Sequence, residues 1–267
     1  MLWDTHMHTS FSGDSTAAPN DMIQAAITGQ LVGICFTDHM DLDYPDSPDR
    51  FLLDTDSYYT SMKSLQKSYQ NQLPVLIGIE LGLQPHLAAK LSQLLRQYPF
   101  DFVIGSSHVV HGFDPYYPAY YEGKTENEAY LEYFESILEN VNAFTDFDVY
   151  GHIDYVVRYG PNKNAAYSYQ KYADIIDCIL KRLIELGKGI EINTAGFKYG
   201  LGHPNPTEDI LKRYHELGGE ILTIGADGHK PEHIAYDFAK VPTILRDAGF
   251  RYYSVFKGRK PEFIAIP

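Results

Sequence analysis

Short apolar, β-branched runs alternate with longer amphipathic stretches from one end of this chain to the other, and no other feature limits the fold as much. The strand candidates are Leu2–Thr5, Gly33–Thr37, Val75–Leu81, Phe102–Ser106, Asp148–Ile153, Gly189–Asn193, Ile221–Gly225 and Arg251–Phe256. Helical patterns run near 20–29, 57–71, 86–97, 126–141, 169–186, 207–217 and 239–248. Such alternation builds parallel βαβ units, and seven or eight of them favour closure into a (β/α) barrel over an open sheet. Pro206 ahead of Thr207-Glu208 marks a helix start, and Gly187, Gly218-Gly219 and Gly249 sit where left-handed caps want glycine. The 267 residues suit one catalytic domain over 1–267, with no repeat, low-complexity segment or linker to divide them. The long connections 40–56 and 109–125 are rich in Pro, Tyr and Asp and are expected to be lids, substrate walls or surface decoration.

The chemistry gathers where the strands end. His6 and His8 close the first strand, His39 follows the second, and Glu80 comes late in the third. His108 and His152 follow the fourth and fifth, Asp227 and His229 follow the seventh, and Asp14 lies in the loop after the first. One His-x-His pair is weak in a chain with 11 histidines; the recurrence in register with the strands is the signal. Catalytic residues of (β/α) barrels collect at the C-terminal strand ends, and residues i and i+2 of an extended chain share a side. Imidazole and carboxylate together bind Zn, Mn and Fe, and clustered ions of that kind hydrolyse phosphate esters. The bland readings are polar loop residues, satisfied core histidines and, for Asp14, a turn cap beside Gly13. Glu80 resists them, because an unpaired carboxylate in an apolar strand is costly.

A net charge of −13 disfavours a nucleic-acid surface but is compatible with a small phosphorylated substrate. No run approaches the ~18 apolar residues of a membrane span. The start Met1-Leu2-Trp3 meets Asp4 and His6 at once, leaving no room for a signal peptide. The two cysteines, Cys35 and Cys178, are expected to be buried thiols. These features together predict a cytoplasmic protein with no membrane partner, for which monomer and weak dimer fit equally.

The ordered set from residue 4 to residue 229 resembles the PHP (polymerase and histidinol phosphatase) family of metallohydrolases. The resemblance implies a distorted seven-stranded (β/α) barrel of PHP type, TIM-barrel-like, carrying three divalent transition-metal ions (Mn, Zn or Fe). It assigns His6, His8, Glu80 and Asp227 to one ion, Glu80, His108 and His152 to a second, and Asp14, His39 and His229 to the third. Within the family, Thr9-Ser10-Phe11-Ser12-Gly13-Asp14, Gly105-Ser106-Ser107-His108 and the tyrosine-rich segment 115–124 look most like the stand-alone histidinol-phosphate phosphatases. The implied reaction is hydrolysis of L-histidinol phosphate to L-histidinol and phosphate, a step of histidine biosynthesis. Its nucleophile would be a hydroxide bridging the first two ions. The resemblance sets Glu80, Asp227 and His229 at the catalytic step and leaves the general acid open.

Residues just beyond the strands, Arg158, Asn193 and Lys198, are the expected substrate contacts, with the guanidinium suited to phosphate. Asp41 and Asp43 are candidates for the amine and imidazole, Asp38 for orienting a ligand or loop, and His111 for lining the pocket. His86, His203, His215 and His233 read as surface or packing residues, and the tyrosines between 116 and 133 as packing before substrate wall. The alternatives are a PHP phosphoesterase for another small ester, nucleotide or phosphotyrosine, a non-catalytic PHP scaffold, and a barrel metallohydrolase that cuts C–N bonds.

Overall fold

All eight residues of the strand Val75–Gly82 are buried, as they must be when side chains fill a barrel on one face and helices cover the other. A computed structural model describes residues 1–267. Its strands are β1 (Trp3–Asp4), β2 (Gly33–Phe36), β3 (His39–Met40), β4 (Val75–Gly82), β5 (Phe102–Ser106), β6 (Val149–Tyr150), β7 (Gly189–Asn193) and β8 (Leu222–Gly225). They pair in parallel in the order β1-β2-β4-β5-β6-β7-β8, with β3 continuing beside β4. Thr5 N–H donates to Ile224 O at 2.9 Å and His8 N–H to Gly228 O at 2.8 Å, which draws the first and last strands together. The result is a nearly closed, distorted seven-stranded parallel barrel.

The helices are α1 (Pro19–Thr28), α2 (Thr55–Tyr69), α3 (Ala88–Leu95), α4 (Glu126–Ala143), α5 (Ala173–Glu185), α6 (Ala195–Lys198), α7 (Glu208–Glu216) and α8 (Val241–Asp247). Local chemistry sets their ends. Thr125 and Glu128 form a reciprocal capping box on α4, and Asp54 accepts from Ser57 N–H at the start of α2. Gly187, Gly218 and Gly249 take the left-handed conformation just past α5, α7 and α8. Helix α5 buries Ile176, Ile179, Leu180 and Leu183, the 3.6-residue stripe of a helix lying on a sheet. Each such side chain stabilises by roughly 1.5–3 kcal/mol, and Ile179→Ala would cost about 2–5 kcal/mol. The buried apolar side chains form one cluster of 67 residues.

The eighth strand candidate does not enter the barrel. Residues Tyr252–Lys257 (β9) pair antiparallel with Lys260–Ala265 (β10). The intervening Gly258 and Arg259 both have positive φ, 54° and 64°, the geometry of a tight hairpin turn. Cys35 is buried as expected, whereas Cys178 lies on the exposed side of α5 and both thiols are free. Cys178 falls two residues past Ile176 and one before Ile179, off the buried stripe. No helix is long and apolar enough to cross a membrane.

Candidate active site

Glu80 is fully buried in β4, and five imidazoles converge on its carboxylate. His39 Nδ1, His6 Nε2 and His8 Nε2 lie 3.0, 3.2 and 3.5 Å from Oε2, while His152 Nε2 and His108 Nε2 lie 3.0 and 3.3 Å from Oε1. Asp227 Oδ1 faces His8 Nε2 at 3.4 Å and His229 Nδ1 at 3.6 Å. Asp14 Oδ2 faces His229 Nε2 at 3.1 Å and His39 Nε2 at 3.6 Å. The fold thus brings all nine side chains, eight near strand ends and Asp14 from the loop after β1, to one floor. The rings of His39 and His229 each pack against that of His8 with centroids 4.1 Å away, and lie 5.8 Å from each other.

Much of this contact is proximity without hydrogen bonding. His39 Nδ1 and Glu80 Oε2 are adjacent, yet neither makes a hydrogen bond, and His152 Nδ1 is also buried without a partner. His6 Nε2 and His8 Nε2 approach to 3.1 Å. Burial raises the proton affinity of Glu80, but the charges of His6, His108 and His39 outweigh it and hold its carboxyl well below the usual range. Burial likewise opposes ionisation of Asp227, and Arg158 and His6 hold it well below the carboxylate range. Burial and the neighbouring His39 and His229 keep His8 well below the ordinary imidazole value.

Behind the floor lies a layer of supporting groups. Ser12 Oγ donates to Asp38 at 2.7 Å and accepts from His39 N–H at 3.0 Å. With its own proton spent on Asp38, Ser12 receives that of His8 Nδ1 at 3.2 Å. Asp38 also accepts from Thr9 N–H and Oγ1, so it anchors the loop that follows His8. Asp4, pushed up to about 6 by burial, accepts from Ala226 N–H and Ala235 N–H and ties the end of β8 to β1. One carboxylate missed by the sequence reading belongs to this layer, Glu191 at His6 Nδ1 (2.7 Å); Asp41, expected at the substrate, lines the cavity and also faces His108 Nδ1 at 2.9 Å. A charged residue inside the apolar run Gly189–Asn193 was the available signal for Glu191.

Above the floor opens a cavity of about 400 Å³, lined among others by Arg158, Lys198, His233, Asp114 and the rings of Tyr44, Tyr155, Tyr159 and Tyr199. This volume suits a small ligand. The two long connections meet at its mouth, where Tyr44 OH donates to Asp114 Oδ2 at 2.6 Å and Arg50 Nη1 to Tyr117 OH at 2.9 Å.

Several expected residues sit differently. Asn193 is wholly buried and lies outside the cavity lining. Its Oδ1 accepts from Arg158 and Ala195 N–H, and its Nδ2 donates to Glu191. Asp43 is exposed beside His86 and Lys90, and His111 pairs with Glu132 and Glu139 at the surface. Both residues take positive φ, 54° and 50°. His233, expected to be a surface or packing residue, lines the cavity. Of the tyrosines between 116 and 133, Tyr120, Tyr130 and Tyr133 are buried as packing, and the cavity wall comes from other tyrosines.

The PHP domain family model matches residues 4–195. The chain belongs to the PHP family. This PHP protein is 32% identical over 261 residues to the histidinol-phosphatase of Lactococcus lactis, covering 96% of the chain and 95% of that relative. It is 34% identical over 241 residues to a protein named probable histidinol-phosphatase from Clostridium acetobutylicum, covering 89% and 90% of the two chains. Its fold superimposes on the crystal structure of the Lactococcus lactis histidinol phosphate phosphatase with a TM-score of 0.91, covering 98% of this chain and all of the other. That structure was solved with zinc, L-histidinol and phosphate. The family and the barrel inferred from nine side chains are therefore borne out.

Proposed function

We propose that this PHP protein is a metal-dependent histidinol-phosphatase, hydrolysing L-histidinol phosphate to L-histidinol and phosphate. The observation that carries the reading is the end-to-end likeness, in sequence and fold, to a phosphatase whose structure holds zinc and both products.

The residues fit divalent cations. Six imidazoles and three carboxylates turn toward shared space, and His39 Nδ1, His152 Nδ1 and Glu80 Oε2 are left without hydrogen bonds. Buried polar atoms in that state are costly unless a ligand satisfies them. Three ions would be held by His6, His8, Glu80 and Asp227; by Glu80, His108 and His152; and by Asp14, His39 and His229. When bound, such ions lower the pKa of water toward neutrality and offset phosphoryl charge.

The remaining work falls to the chain. Arg158 spends three N–H groups on Asn205, Asp227 and Asn193; of the five a guanidinium has, 5 − 3 leaves two for phosphate oxygens. Lys198 Nζ donates to Asp227 O at 3.1 Å and adds a second cation to the cavity wall. Asp114 supplies a carboxylate for the substrate ammonium, and Tyr155, Tyr159 and Tyr199 supply faces for its imidazole.

Phosphate release by the Mn-loaded protein tests this reading, with L-histidinol phosphate set beside nucleoside monophosphates and a phosphotyrosine peptide. The proposal requires a kcat/KM for histidinol phosphate well above the others. Better turnover of another ester would keep a phosphoesterase and discard the substrate. No turnover by metal-loaded protein would favour a scaffold.

A further inference from the structure

We infer that Glu191 and Asp41 are a matched pair of positioning residues that hold the Nδ1 proton and the orientation of His6 and His108, so that both imidazoles direct Nε2 at a cation bound on the floor. The inference rests on the metal reading and extends it to two residues outside the nine.

The two arrangements repeat. Glu191 Oε1 lies 2.7 Å from His6 Nδ1, and His6 Nε2 lies 3.2 Å from Glu80 Oε2. Asp41 Oδ2 lies 2.9 Å from His108 Nδ1, and His108 Nε2 lies 3.3 Å from Glu80 Oε1. Each oxygen of Glu80 is therefore approached by an imidazole backed by its own carboxylate. A carboxylate only accepts, so each Nδ1 carries a proton, and Nε2 is the nitrogen left to give its lone pair to a cation bound on the floor. Without that partner the ring could carry its proton on Nε2, the form that cannot bind a cation there.

The backbone makes room for both pairs. A Cβ on Gly225 would collide with Glu191 Oε1 and with Cβ of His6, and a Cβ on Gly82 would collide with Asp41 Oδ1. Both glycines end strands, β8 and β4, and neither has positive φ. Space for the carboxylate, rather than backbone conformation, is what calls for glycine here. Glu191 is further fixed because Oε2 accepts from Asn193 Nδ2 at 3.0 Å and His152 N–H at 3.2 Å. Asp41 Oδ1 has no hydrogen-bond partner.

That difference sets the test. Glutamine at 191 must turn its NH₂ toward donors on one side or the other, so Glu191→Gln cannot keep both contacts. Asparagine at 41 can keep its oxygen on His108 and direct its NH₂ to the unpartnered side. Zinc affinity and stoichiometry, measured by competition with a chromogenic chelator on folded protein checked by circular dichroism, should follow. Glu191→Gln and Asp41→Ala are expected to weaken zinc binding about 10–100-fold, and Asp41→Asn to recover most of the loss at 41. Equal affinity across wild type and variants would overturn the inference. So would an Asp41→Asn protein as weak as Asp41→Ala. If Glu191→Gln does not fold, the two Asp41 variants decide. Failure of the wild type itself to bind zinc would instead remove the metal reading.

Discussion

Arg158 Nη1 donates to Asp227 Oδ2 at 2.8 Å, so the guanidinium expected at the phosphate also holds a carboxylate of the floor. Asp227 needs holding: it sits just past β8 with a left-handed φ of 52°, a conformation uncommon for residues other than glycine. Asn193 and Asn205 fix the other edges of the guanidinium. Arg158→Ala is therefore predicted to lower kcat and metal retention as well as raise KM. Because both partners are buried, it should also cost about 3–5 kcal/mol of stability. Steady-state kinetics, metal analysis and calorimetry on one preparation check this; an effect confined to KM would make Arg158 a substrate clamp alone.

Glu80→Ala should remove the residue that two of the proposed ions would share. Turnover is predicted to fall by at least about 10²–10³-fold, the scale on which one preorganised charge contact matters. Metal analysis should show the loss of two ions per chain. Full activity would refute the bridging assignment.

Chelation should destabilise the fold. An ion present at 100 times its Kd adds about 2.7 kcal/mol, and a chain of this length shifts its Tm by about 2–4 °C per kcal/mol. Each ion removed is thus predicted to lower the melting temperature by about 5–10 °C, recovered on adding Mn or Zn. A melting curve unmoved by chelator would show that the floor is stable by itself.

Asp114 lines the cavity beside the tyrosines, and its carboxylate bonds only Tyr44 OH and Tyr116 N–H. Asp114→Asn is predicted to raise KM for histidinol phosphate about 10–100-fold, the loss of one charge-assisted contact. Turnover of an ester without an amine, such as p-nitrophenyl phosphate, should change little. Parallel loss on both esters would mean that Asp114 shapes the loops and does not read the ammonium.

What the sequence made legible was what local pattern carries. Glu80 stands out because a charge interrupts an apolar strand, and His6-x-His8 because strand geometry puts both rings on one side. The roles of Asp41 and Glu191 depend on which strands lie next to each other: β7 pairs with β8, which meets β1, and this brings residue 191 to His6. Spacing along the chain holds no trace of that. Arg158 lies in a short 3-10 turn (Tyr155–Arg158), where a one-residue shift redirects the side chain, so its position was readable and its partner was not. The 251–256 segment had the composition of a barrel strand, and only the hairpin turn after it sends it elsewhere.

The nine converging side chains are expected to form a three-metal floor. Anomalous diffraction from crystals of the protein grown with zinc tests it most directly. Three anomalous peaks are expected: one among His6, His8, Glu80 and Asp227, one among Glu80, His108 and His152, and one among Asp14, His39 and His229. Peaks confined to surface sites such as His111, or none at all in zinc-soaked crystals, would contradict it.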